Sequence, residues 1–143
     1  MKEPLSNLLD LQREYQRLIQ RLAKKHNLTL AEWQLLQKIV NGKDTQELLA
    51  DAMQLDISTL SRQLGRLTTK EFVIITKVNS QTNVKTRKSY RYQLSESGQK
   101  FLSQMNTDFS KFNQKVFAQW SSQEKKLFKE TITHLIQSMQ SIK

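Results

Sequence analysis

Residues 56–71 read Asp56-Ile-Ser-Thr-Leu-Ser-Arg-Gln-Leu-Gly-Arg-Leu-Thr-Thr-Lys-Glu71. Ile57, Leu60, Leu64 and Leu67 recur at three- and four-residue intervals, which stacks them on one side of a helix and directs that side into a core. Ser58, Thr59, Ser61, Arg62, Gln63 and Arg66 fall off the stripe, and their side chains are of the types that hydrogen-bond base edges and phosphates. Asp56 is placed to cap the helix, because its carboxylate can accept from the free N–H groups of the first turn. No acidic residue occurs from Ile57 to Lys70. An amphipathic helix with arginine on its wet face is also the commonest helix of any soluble protein, so the neighbouring segments decide its meaning.

The whole chain sets the bounds. At 143 residues it is one domain's worth, and 23 Lys and Arg against 13 Asp and Glu give a formal charge of +10 and a pI near 9.9. Such a balance points to a polyanionic partner, nucleic acid first. The charge is concentrated: from Ile57 to Ser95 stand Arg62, Arg66, Lys70, Lys77, Lys85, Arg87, Lys88 and Arg91 against the single acid Glu71. Cysteine is absent, which excludes disulfides, thiol redox sensing and cysteine-based zinc sites. No apolar run approaches the roughly 20 residues of a membrane span, and the N-terminus lacks the layout of a signal peptide. A cytoplasmic protein with no membrane partner is expected. Three glycines and one proline in this length favour helices over a sandwich or barrel.

Taken in order, Leu5, Leu8, Leu11, Tyr15, Leu18, Ile19 and Leu22 predict a long first helix from Pro4 to about His26. Thr29, with Glu32 three residues on, reads as a capping box; Trp33, Leu36, Ile39 and Val40 form the buried side of that second helix, and Asn41-Gly42 ends it. Thr45 can cap a short third helix packing through Leu48, Leu49, Ala52 and Met53. Only Gln54-Leu55-Asp56 separates it from the helix at Ile57. Two short helices joined so tightly are a helix-turn-helix unit, whose second helix enters the major groove.

After Glu71 the period changes. Phe72 to Val78 is β-branched and aromatic, and Tyr90, Tyr92 and Leu94 alternate with Arg91 and Gln93, so two strands are expected. Asn79 to Lys88 between them is polar and lacks a turn glycine, which predicts a flexible projecting tip ending in Lys85, Arg87 and Lys88. A hairpin with a basic tip behind a helix-turn-helix makes a winged helix. Ser95-Glu-Ser-Gly98 starts a fifth helix running towards Trp120, with Leu102, Met105, Phe109, Phe112 and Val116 in register. Ser121 and Glu124 cap a sixth, striped by Phe128, Ile132, Leu135, Met139 and Ile142. These stripes exceed what a winged helix needs covered, so a dimer interface built with the first helix is the economical reading; an intramolecular cap is the alternative.

The order of elements resembles the MarR (multiple antibiotic resistance regulator) family of bacterial transcription factors over nearly the whole chain. Its most specific part is Leu55 to Leu67 through Lys70-Glu-Phe-Val73, followed after the wing by Leu94-Ser-Glu-Ser-Gly98. The resemblance implies that Ser61, Arg62 and Arg66 contact DNA and that Leu60, Leu64 and Leu67 form the core of the recognition helix. It also implies a space between the dimer helices and the winged part for small, often aromatic effectors. Tyr15, Trp33 and Met53 could line it, though core packing also accounts for them. Three departures stand out: Glu71 where members usually have a helix-ending glycine, Thr86 where the wing usually has an aspartate two residues before an arginine, and a long loop. A left-handed turn at Glu71 would carry a steric cost that glycine avoids.

No converging acid, base or nucleophile is legible. His26 and His134 have no second histidine at ligand spacing, and Gly42, Gly65 and Gly98 form no phosphate loop. The chain is therefore expected to be no enzyme and to use no metal or cofactor. The fold class expected is mostly α (α+β): a single domain over 1–143, with a winged helix-turn-helix part at 29–98, a two-stranded β wing, and long dimerisation helices at 1–28 and 99–143. The function expected is sequence-specific binding of double-stranded DNA by a homodimeric transcription regulator, by default a repressor. The DNA-contacting residues would be Ser58, Thr59, Ser61, Arg62, Gln63, Arg66, Lys85, Arg87, Lys88 and Arg91. A basic RNA-binding or nucleoid-associated module without a specific operator is the competing reading.

Overall fold

The computed structural model describes residues 3–78 and 89–143; the expected loop tip from Asn79 to Lys88 lies outside them. The chain divides into two compact units, Met1–Thr107 and Asp108–Lys143. In the first, Pro4–Asn7 forms a 3₁₀ turn, so the α-helix expected from Pro4 begins later, as α1 at Leu8–Lys25. It is followed by α2 (Leu30–Val40), α3 (Gln46–Met53), α4 (Ile57–Thr69), β1 (Val73–Val78) and β2 (Ser89–Leu94). A long helix, α5 (Glu96–Val116), begins in this unit and ends in the second, which also holds α6 (Ser122–Gln140).

Local hydrogen bonds set the helix starts where the sequence places them. Thr29 Oγ1 accepts from the Glu32 N–H at 3.1 Å while Glu32 Oε1 accepts from the Thr29 N–H at 2.8 Å. Thr45 Oγ1 accepts from the Leu48 N–H, and Asp56 Oδ1 from the Thr59 N–H at 2.7 Å. Ser121 and Glu124 close a second capping box on α6. The four helix ends from α1 to α4 also share one device. Asn27, Gly42, Gln54 and Glu71 take positive φ (58, 100, 55 and 62°). The N–H of the residue after each reaches back to the last turn, as Phe72 N–H does to the Leu67 carbonyl at 3.0 Å. Only one of the four is glycine.

The core lies around α2, which packs against α1, α3, α4 and β2. Contacts on so many sides explain a difference from the sequence expectation: Leu35 and Glu32 are buried beside Trp33, Leu36 and Ile39, whereas Val40, at the helix's last position, is 57 % exposed. On α3, Leu49 is buried and Leu48 is exposed, Ala52 and Met53 being half-buried, so this eight-residue helix commits one side chain fully to the core. On α4, Leu60, Leu64 and Leu67 are buried, but Ile57 is 48 % exposed. Helical side chains lean towards the N-terminus, and at the first position that direction leads off the helix end.

The wing pairs antiparallel from Val73 opposite Leu94 to Val78 opposite Ser89. Its root is buried through Val73, Tyr92 and Leu94, while Ile75 and Tyr90 farther out are exposed. The root is tied to the start of α5: the Ser95 N–H donates to the Phe72 carbonyl at 2.9 Å, the Ser95 hydroxyl to the Glu71 carbonyl, and Ser95 Oγ accepts from the Gly98 N–H at 2.9 Å. A Cβ at position 98 would collide with the Phe72 carbonyl oxygen.

In the second unit, Phe117, Trp120 and Phe128 close the turn between α5 and α6, with ring centroids 4.8 to 5.7 Å apart. Helix α6 has no buried residue, and Leu127, Phe128, Ile132, Ile136 and Met139 are all exposed.

Gly98→Ala tests the junction at the wing root. Overpacking against backbone, which cannot rotate away, is expected to cost about 1–3 kcal/mol. A lowered urea midpoint with unchanged slope is the expected reading, and an unchanged midpoint would show that the junction yields freely.

Candidate nucleic-acid interface

Burial of Leu60, Leu64 and Leu67 turns the opposite side of α4 outward, and Ser58, Ser61, Arg62 and Arg66 are exposed there. Thr59 and Gln63 sit at the border, half-buried. Gln63 Oε1 is itself buried and has no hydrogen-bond partner among the described residues. Neither Arg62, Arg66 nor Arg91 on β2 is ion-paired among the described residues; Arg62 reaches only the Thr59 hydroxyl, at 3.5 Å. Unpaired guanidinium groups keep their donors available for phosphate or for the acceptor pair on a guanine edge. Lys85, Arg87 and Lys88 lie outside the described residues.

The helix start is fixed by Asp56. Hydrogen bonds from Thr59, then from the Ser58 hydroxyl, hold its carboxyl below the usual carboxylate range. Ser58 therefore spends its proton on the cap. Ser61 is engaged as well: Gln46, the first residue of α3, donates from Nε2 to Ser61 Oγ at 3.3 Å and to the Tyr92 hydroxyl at 3.1 Å. Burial pushes the Tyr92 phenol up from its ordinary value, and the Tyr92 N–H donates to the Asp44 carbonyl at 2.9 Å. One glutamine thus joins both helices of the helix-turn-helix to the wing.

Lys70, one of the basic residues counted in the charged stretch, does not leave its charge free. Its ammonium turns inward, to Glu32 Oε1 at 2.8 Å and the Asn27 carbonyl at 2.9 Å. Neither this pair nor the Gln46 bridge carries a local signal, since the partners stand 38, 15 and 46 residues apart. Trp33 donates to Asn106 Oδ1 at 3.0 Å, and Gln37 to the same oxygen at 2.9 Å, fastening α2 to α5. Among the described residues no group of His, Asp and Glu could hold a metal ion, and no helix is long and apolar enough to cross a membrane.

A helix-turn-helix with a two-stranded wing at its exit and a cationic outward face defines the winged-helix class of fold. More narrowly, the fold is that of the MarR-type regulators. A solved structure of MarR is 22% identical over 98% of this chain and 100% of its own, with a TM-score of 0.76. The structure of a MarR family transcription regulator superimposes with a TM-score of 0.82 at 18% identity, over 94% of this chain and 87% of the other. MepR of S. aureus, solved as a complex with DNA, matches at 19% identity over 96% of each chain, with a TM-score of 0.76. No family model matches the sequence, and no curated protein matches it.

The cap gives a pH-dependent expectation. A carboxyl whose pKa is lowered on folding contributes stability that is present above its unfolded value, about 4, and is lost as pH falls through the folded value. Asp56→Ala should therefore lower the melting temperature at pH 7, and the gap to the unsubstituted protein should close on acidification towards pH 2. Circular dichroism melts at both ends of the range check it; a gap independent of pH would show that the carboxylate does not cap the helix.

Proposed function

We propose that this chain is a homodimeric transcription regulator, acting in the cytoplasm, that binds a pseudo-palindromic site in double-stranded DNA with α4 of each subunit in the major groove. Repression by occluding a promoter is its default action. The observation that carries the reading is the division of α4 into a fully buried leucine row and an outward side bearing Ser61, Arg62 and Arg66 with no ion-pair partners among the described residues. Arg91, and the sequence charge of Lys85, Arg87 and Lys88, would follow the phosphates beside it. The likeness to a protein solved with DNA supports the same reading.

The dimer is supported by side chains that lack cover. Helix α6 leaves Phe128, Ile132, Ile136 and Met139 exposed, and α1 does the same with Leu9, Leu11 and Tyr15. Contiguous apolar stripes of this length are uncommon on free monomers. As for an effector space, Trp33 is buried and bonded to Asn106, so core packing accounts for it.

The decisive assay for this reading is competition: a duplex enriched from a random-sequence pool should be retained against excess unrelated DNA by roughly 10³ or more at physiological salt. Equal affinity for all duplexes, or preference for single-stranded RNA, would support a non-specific nucleic-acid module instead. Within the specific complex, Arg62→Ala should cost about 1–3 kcal/mol per half-site and relax the preference at one base pair, while Arg66→Ala on a phosphate should weaken all sequences alike. Unchanged affinity in both, with folding intact, would place the reading surface elsewhere. For assembly, Leu135→Glu should lower the sedimenting mass from dimer to monomer and reduce DNA affinity with it. A monomer that still binds tightly would contradict the dimeric reading.

A further inference from the structure

We propose that Lys70 is a positioning residue: clamped by Glu32 and Asn27, its ammonium fixes the pose of α4 and so sets DNA specificity without touching DNA. This rests on the DNA-reading function proposed above.

Lys70 follows directly on the last residue of α4, and its side chain, 28% exposed, reaches the start of α2. Glu32 is 1 % exposed, and its Oε1 is already held by the Thr29 N–H of the capping box. The Asn27 carbonyl comes from the left-handed turn between α1 and α2. Three groups from the α1–α2 junction and the start of α2 therefore converge at the exit of the reading helix. The other attachments of α4 are the leucine row, whose apolar contact is non-directional, and the longer Gln46–Ser61 hydrogen bond of 3.3 Å near the opposite end of the helix. Charge-assisted hydrogen bonds at 2.8 and 2.9 Å are directional and short. The lever is long: at 1.5 Å per residue Arg62 lies about 12 Å along the axis from Lys70, so a tilt of about 10° at the clamp moves it by about 2 Å. Bidentate contact to a base edge does not survive such a displacement, whereas loose attraction to phosphate does.

Lys70→Met alone would strand a buried carboxylate and threaten folding. The test therefore uses the double variant Glu32→Gln with Lys70→Met, which keeps the net charge of the chain and retains a residue able to close the capping box. Two readouts are taken. Without DNA, spin labels on Gln34→Cys and Ile57→Cys in this cysteine-free chain report the pose of α4 on α2. The unsubstituted clamp should give one narrow distance and the double variant a broadened or shifted one. With DNA, the preference for a duplex enriched by the unsubstituted protein over random duplex should fall at least tenfold, with random-DNA affinity and its salt dependence unchanged.

An unchanged distance distribution in the folded double variant would overturn the clamp whatever the DNA result. Loss of random-DNA affinity with a shallower salt slope would also overturn it, because Lys70 would then be a phosphate ligand. A changed distribution in a protein whose unsubstituted form prefers no duplex would leave the positioning of α4 standing and overturn its role in specificity, together with the reading on which that role rests.

Discussion

The left-handed turn at Glu71 is the constraint on which the winged helix depends. In a few residues it ends α4, starts the first wing strand and receives the start of α5, so that a change in its path would move all three. Glycine would adopt φ of 62° at little cost; glutamate does so because the turn is held from several directions. The Glu71 and Phe72 N–H groups reach back to Thr68 and Leu67, Ser95 bonds to both carbonyls, and the Phe72 ring meets Phe101 at 4.9 Å. The bare Cα of Gly98 provides the room for that approach.

Around this turn the first unit divides its labour by the type of force. Leucine rows supply attraction without direction, and a few polar bridges supply direction. Gln46 joins α3, α4 and the wing; Asn106 joins α2 and α5 through Trp33 and Gln37; Lys70 joins the end of α4 to the start of α2. The outward side of α4 is left with cations that no acid neutralises among the described residues. That asymmetry, with Arg62 and Arg66 free on the outward side of α4 and Lys70 satisfied at its exit, is what the proposed reading of a polyanion requires.

Much of the fold was legible because its signals are local. Caps at Thr29, Thr45, Asp56 and Ser121 act over three residues, so a residue pair in sequence is a residue pair in space. The leucine spacing of α4 and the alternation of Tyr90, Tyr92 and Leu94 are equally local. What could not be read depends on distant partners. The burial of Glu32 and Leu35 and the exposure of Val40 follow from four neighbours around α2, which no periodicity of an eleven-residue helix contains. Lys70 looks like any other lysine of a basic stretch until Glu32 is brought beside it. The left-handed ends at Asn27 and Gln54 lacked the glycine that would have announced them, being imposed by the bonds that follow each helix, and the turn at Glu71 forms despite the steric cost that the sequence attaches to it. Ile57 keeps the period of the stripe yet overhangs the helix end. Of the outward residues, Ser61, Arg62 and Arg66 stand where spacing put them, whereas Thr59 and Gln63 are half-buried.

Methylation interference on a duplex enriched from a random pool measures the central claim, that α4 of each subunit reads a major groove. The account predicts that methyl groups on guanine N7, which lies in the major groove, block binding in two clusters about one helical turn, or 10 base pairs, apart and related by the symmetry of the site. Interference confined to adenine N3 in the minor groove, or none at either position, would contradict it.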